Sequence, residues 1–122
     1  MGTAVETDID QVVAVVTDYV TSFYSGSAQE RAARIESVLH LLLAKRSPSH
    51  VRVDRTFHEW TVPEMIQIAT CSVDEPEKRP YSVKVLDVAG NMASVRSDAD
   101  WGVDYLHLAK IDGHWKVVNV LW

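Results

Sequence analysis

The last twenty-two residues, Trp101 to Trp122, constrain the fold more than any other stretch. Apolar and polar residues alternate on both sides of Asp112-Gly113, a dipeptide suited to tight reversal, so the stretch predicts a β-hairpin. Two registers are open. A two-residue turn pairs Ile111 with His114, Lys110 with Trp115 and His107 with Val118. A three-residue loop, Ile111-Asp112-Gly113, closed by a glycine bulge pairs Lys110 with His114, Ala109 with Trp115, His107 with Val117 and Tyr105 with Asn119. The second register sorts the residues better. It gathers Val103, Tyr105, His107, Ala109, Trp115, Val117, Asn119 and Leu121 on an inner face and turns Asp104 away from it. The opposite face then holds Lys110, His114 and Lys116 near the turn and Leu106, Leu108, Val118 and Val120 beyond it. Such an apolar outer surface suits burial against a second copy, so a homodimer through the outer sheet face is expected.

Upstream, Ile9, Val12, Val13, Val16, Tyr19, Val20 and Phe23 recur at helical spacing and predict a first helix to about Tyr24. β-Branched residues are mediocre helix formers, so this helix needs a broad apolar surface to pack on, most naturally a sheet. Ser25-Gly26 ends it, and Ser27-Ala-Gln-Glu30 is a capping box that starts a second helix carried by Ile35, Val38, Leu39 and Leu42 to about Ala44. Val51-Arg-Val53 and Thr56-Phe-His-Glu-Trp60 alternate like a short hairpin around Asp54-Arg55. Thr61-Val-Pro-Glu64 is a second capping box, opening a third helix over 62–72 with Met65, Ile66, Ile68 and Ala69 facing inward. After the charged loop 74–80, residues 81–89 and 92–99 alternate around Gly90-Asn91 and lead into the final hairpin. Three helices followed by four consecutive antiparallel strands predict one α+β domain over 1–122, a cone or roll with the helices on a curved, mainly antiparallel sheet.

The 122 residues carry a net charge of -5 with the basic residues scattered, which argues against nucleic acid as a partner. No apolar run is long enough to span a bilayer, and the first residues lack a secretory pattern, so the expected location is the cytoplasm. The single Cys71 can form no internal disulfide and is expected to be a buried structural thiol. Five histidines show no short-spaced ligand pair, so neither metal nor cofactor is expected. Lys45-Arg46, with Arg52 and Arg55 near in sequence, reads either as an anion site or as a solvated positive patch.

Tyr105, His107 and Asn119 on a concave, helix-covered face are the candidate polar fittings of an apolar small-molecule cavity, with Trp115 from the same face and Tyr24 and Met65 from the helices completing its wall. The bland alternative is a buried histidine satisfied by its neighbours. Trp101, Trp115 and Trp122 either fill volume or form a platform for a flat ligand. No glycine-rich phosphate loop, nucleophile elbow or paired-carboxylate motif is present.

The element order resembles the nuclear transport factor 2-like superfamily, the cone fold of ketosteroid isomerases, scytalone dehydratase and polyketide cyclases. More narrowly, Val85-Leu-Asp-Val-Ala-Gly-Asn-Met-Ala-Ser-Val95, Asp104-Tyr-Leu-His-Leu-Ala-Lys-Ile-Asp-Gly113 and Trp115-Lys-Val-Val-Asn-Val-Leu-Trp122 are similar to its lumazine-binding branch. That branch often carries a His-Pro-Asp-Leu-like segment at the end of the second helix. Here the segment is His40-Leu-Leu-Leu43, without the proline and acid, which leaves His40 and Arg46 as candidate pocket-mouth residues. The resemblance implies a protein that binds a small organic molecule in an apolar pocket between helices and sheet. One alternative is an isomerase, dehydratase or cyclase using His107 as acid or base, and another is a dimerisation module without ligand.

Overall fold

The computed structural model describes residues 2–48, 57–71 and 79–122. They form helices α1 (Gly2–Thr21), α2 (Ala28–Val38) and α3 (Val62–Cys71) and strands β1 (Leu39–Ser47), β2 (His58–Trp60), β3 (Ser82–Ala89), β4 (Met92–Ala99), β5 (Gly102–Ile111) and β6 (His114–Leu121). The strands make one open, curved sheet in the order β2-β1-β6-β5-β4-β3. β1 and β6 run parallel, and the other neighbours are antiparallel. The helices cover one face, and the architecture is the α+β roll expected from the element order.

The apolar stripe of α1 is used as its spacing predicts: Val12, Val16, Tyr19 and Val20 are fully buried and meet Ile35 and Val38 of α2, Met65 and Ala69 of α3, and the inner residues of the sheet. Both capping boxes form. Ser27 Oγ accepts from Glu30 N at 3.1 Å while Ser27 N donates to Glu30 Oε1 at 2.9 Å. Thr61 and Glu64 repeat the arrangement at 3.3 and 2.9 Å. Arg31 is buried although charged because it closes the end of α3: Nε donates to Ala69 O at 2.9 Å and Nη1 to Gly26 O. A cation is well placed on the terminal carbonyls of a helix.

Helix two stops earlier than its leucines suggest. Leu39–Ser47 is strand β1, paired in parallel with β6 through Ala44↔Asn119, Lys45↔Val120 and Arg46↔Leu121. Leucine spacing in this stretch satisfies a helix, but the unpaired edge of β6 offers ladder hydrogen bonds that local preference cannot match. An irregularity between Leu39 and Ala44 accommodates the change and leaves Leu41 and Leu42 87% and 81% exposed. His58–Trp60 is a strand, as expected, but it pairs with Lys45–Ser47; the Val51–Val53 half of the anticipated hairpin lies outside the described residues, as does most of the loop 74–80. Cys71 is exposed at the end of α3, not buried.

The hairpin takes neither anticipated register along its whole length. Asp112 and Gly113 both have positive φ, 53° and 79°, which makes a two-residue turn and pairs Ile111 with His114 and Lys110 with Trp115. Between Leu108↔Val117 and His107↔Asn119 the register then shifts, with Val118 as the extra residue of a β-bulge. Leu108, Leu106 and Asp104 consequently point inward with Trp115, Val117 and Val120, whereas Tyr105 and His107 are exposed on the outer face. The expected facing of β5 is thus inverted. Leu106, Leu108 and Val120, anticipated at a subunit interface, are core residues.

Candidate functional site

At the end of the sheet away from the hairpin turn lies a cavity of about 300 Å³, lined by Phe23, Lys45, Trp60, Met65, Ile68, Trp101 and Trp122. Each element delivers one or two of these. Phe23 follows α1, Met65 and Ile68 come from α3, Lys45 and Trp60 face one another across β1 and β2, Trp101 occupies the β4–β5 turn, and Trp122 follows β6. Two of the three tryptophans of the C-terminal segment are locked together: Trp122 Nε1 donates to Trp101 O at 3.1 Å, and Trp122 N donates to Arg46 O at 3.0 Å. Gly102 permits this approach, since its φ is +124° and a Cβ there would stand 3.3 Å from Trp122 Nε1. Phe23 meets Trp101 edge-to-face at 5.4 Å, and Trp60 meets Trp122 at 5.6 Å.

Lys45 is the cation of this aromatic box. Its Nζ donates to Tyr19 Oη at 2.7 Å and stands 5.2–5.9 Å from the ring centres of Trp122, Tyr19, Phe23 and Trp60. Cation–π attraction favours the ammonium. Burial opposes it and prevails, lowering the amine below its ordinary value, while the negative charge of Asp104 pulls the other way. Asp104 is fully buried; loss of water raises its carboxyl, against the counter-effects of Lys45 and of Trp101, whose Nε1 donates to Oδ2 at 3.3 Å. Tyr19, also fully buried, has its phenol pushed well up by burial and by the Asp104 charge. Asp104 Oδ1 and Ser97 Oγ, on residues paired across β4 and β5, lack a hydrogen-bonding partner among the described residues. An acid, an amine and a phenol thus share one water-poor region under aromatic walls.

Of the residues expected at the site, Met65 lines this cavity. Tyr105, His107 and Asn119 do come together, but on the outer face. His107 Nδ1 and Asn119 Nδ2 are 3.2 Å apart, and Tyr105 Oη accepts from Arg96 at 3.5 Å. His107 borders a second pocket there, of about 510 Å³, with Asp87, Met92, Ser94 and Val118. Trp115 is buried elsewhere, donating from Nε1 to Asp8 Oδ1 at 3.2 Å, an oxygen that also accepts from Lys110 Nζ at 3.0 Å. Tyr24 lies beneath the Arg79 guanidinium, 5.6 Å from ring centre to carbon. His40 Nδ1 accepts from Leu42 N at 3.0 Å, and Arg46 pairs with Glu59 at 3.1 Å on the outer face. The hairpin turn, the bulge at Val118 and the strand β1 explain these placements. The two-residue turn sets which β5 side chains face the helices, the bulge turns Asn119 outward beside His107, and β1 sends Lys45 inward and Arg46 outward. Of the flat-ligand platform considered from the sequence, Trp101 and Trp122 line the cavity while Trp60 stands where Trp115 was expected, and nothing local marks Lys45 or Asp104 as interior.

Among the described residues no group of three or more His, Cys, Asp or Glu gathers as a metal site, and no helix is long and apolar enough to cross a membrane. The fold is shared with solved structures of low sequence identity. A nuclear transport factor 2-like protein of unknown function from Silicibacter pomeroyi has a TM-score of 0.76 at 15% identity, covering 96% of this chain and 95% of that one. One from Shewanella baltica gives 0.70 at 19%, covering 94% and 91%, and one from Methylobacillus flagellatus 0.66 at 19%, covering 94% and 90%. A search of curated proteins finds no match. Residues 7–122 match the family described as "Putative lumazine-binding", and the chain belongs to that family.

Proposed function

We propose that the aromatic cavity binds a small planar organic molecule, its ring stacked among Trp60, Trp101 and Trp122 and a carbonyl or similar oxygen accepting from Lys45. The observation that carries this reading is a nearly buried lysine set into the wall of an otherwise apolar, partly open cavity. Small-molecule sites have this character, with apolar walls and few convergent polar groups. A pteridine dione such as lumazine, the ligand class in the family's description, fits the requirement of a flat ring with carbonyl oxygens. Titration with a panel of planar heteroaromatics that includes lumazine, followed by tryptophan fluorescence, is the test. Binding should quench the emission, and Lys45→Met should weaken it by about tenfold or more, the worth of a charge-assisted hydrogen bond. Absence of quenching across the panel would sink the proposal.

An enzymatic reading is second, and Asp104 supports it better than His107. Burial raises the Asp104 carboxyl above the ordinary carboxylate range, which favours it as a proton carrier, whereas His107 is on the outer face. Turnover of an enolisable ketone that is lost in Asp104→Asn and kept in His107→Ala would support an isomerase-type activity; equal loss in both would refute this assignment.

Dimerisation through the outer sheet face is a third element of the proposal. Exposed Leu41, Leu42, Met92, Tyr105 and Leu121 give that face its apolar character. Sedimentation at micromolar concentration tests it, and a monomer would dispose of the idea.

A further inference from the structure

We propose that Lys45 is an imine-forming amine, whose Nζ condenses with the carbonyl carbon of an aromatic aldehyde or ketone seated in the aromatic cavity. The inference rests on the cavity being a ligand site and names the substrate class for it. Among the described residues, Lys45 supplies the only amine that lines this cavity. Nucleophilic attack needs the free base, and a lysine packed among rings with little water is the setting in which an amine gives up its proton most readily. The lowered value of Lys45 agrees with that setting. Its bond to Tyr19 Oη at 2.7 Å fixes the amine at the wall instead of leaving it on a flexible stem.

In the reaction, nitrogen adds to the carbonyl carbon and the oxygen takes up a proton to give a carbinolamine. The C–O bond then breaks, a C=N bond forms, and the oxygen leaves as water with both hydrogens of the amine. Tyr19 Oη, already bonded to Nζ, can relay a proton from nitrogen to the departing oxygen. No external oxidant or reductant is required. The imine so formed is neutral; taking back from solvent the proton that the ammonium released before attack restores the positive charge that Asp104 faces, so the buried acid serves the protonated adduct as its counter-ion. A site poor in water also favours the condensed form, because water is a product.

The test uses 2-naphthaldehyde and sodium borohydride on the whole chain near neutral pH, with intact mass and peptide mapping. Reduction should fix a secondary amine at Lys45 severalfold faster than at Lys84, Lys110 or Lys116, since a lowered amine pKa leaves more free base and the cavity gathers the aldehyde beside it. Excess 2-naphthalenemethanol, which carries the same ring and cannot condense, should slow that labelling. Lys45→Arg should abolish it, and the mapping on the unaltered protein stands even if that variant folds poorly. Labelling spread evenly over the lysines would overturn the inference. Quenching of tryptophan emission by the alcohol without trapping at Lys45 would overturn imine formation and leave the ligand site standing. Neither quenching nor trapping would remove both.

Discussion

Replacing Lys45 by Met and Asp104 by Leu, singly and together, should show that the two are bound by a large coupling energy. Each is almost wholly removed from water, and each opposes the other's burial-driven shift. Removing one partner of such a pair leaves the other charge uncompensated and costs about 3–5 kcal/mol, whereas replacing both with apolar groups of similar volume is neutral or stabilising by about 1–4 kcal/mol. The coupling expected from the cycle is therefore about 3 kcal/mol or more. A chain of this size is stable by about 5–15 kcal/mol, so each single variant should remain folded with a urea midpoint lowered by about 2 M. The double variant should unfold at or above the original midpoint. Urea unfolding at neutral pH, with an unchanged slope, is the assay. In Lys45→Met the pH dependence has a definite sign. Asp104 keeps a folded pKa above its ordinary 3.8, so stability is greatest below that value, falls as pH rises through the raised one, and then levels. Additivity within about 0.5 kcal/mol would refute the coupling and with it the electrostatic picture of the cavity floor.

Other expectations concern separate parts of the fold. Gly102→Ala should cost about 1–3 kcal/mol and shift the tryptophan emission, because the added methyl meets Trp122. Gly113→Ala, equally left-handed but with open space around it, should cost about 1 kcal/mol and leave the emission unchanged. Arg31→Met should lower stability by about 3 kcal/mol in denaturant titration, since α3 loses a buried charged donor on its last carbonyls. The Asp8 carboxyl is held low by its bonds to Lys110 and Trp115, so this contribution is present above the ordinary carboxylate pKa and lost as pH falls through the folded value. Asp8→Asn should flatten that acid limb in a pH series of thermal melts. His107→Ala should leave fluorescence titrations of the aromatic cavity unchanged, and a loss of binding would mean that the ligand sits on the outer face instead.

Elements whose signals are local were legible in the sequence. The Ser27 and Thr61 capping boxes, the stripe of α1 and the Gly90 turn each rest on chemistry contained within a few residues, as does the place of the Asp112-Gly113 turn, though not its two-residue length. β1 was not legible. Leu39, Leu42 and Leu43 fit a helix as well as a strand, and the deciding influence is the edge of β6, more than seventy residues away in the chain. The site was obscured by the same kind of cause. The length of the Asp112-Gly113 turn, which places Asp104 inside and His107 outside, is chosen by how the strands pack on the helices, and nothing near Val118 announces the bulge that turns Asn119 outward. Lys45 looked like half of a surface basic pair, because its burial depends on α1, β2 and β6 meeting around it.

That bulge acts as a reading frame for the end of the chain. Since strand faces alternate with a period of two, one additional residue at position 118 is enough to let the turn keep its own register while Val120 and Trp122 enter the interior. Deleting that single residue would remove the bulge and keep Val120 and Trp122 inward on a regular ladder, whereas losing the bulge while keeping the residue would turn Asn119 and Leu121 to the inner side in their place. The identity of the cavity wall is thus set by strand pairing as much as by residue type, and loss of the bulge without loss of a residue offers a route by which closely related chains could exchange one pocket for another without altering their helices.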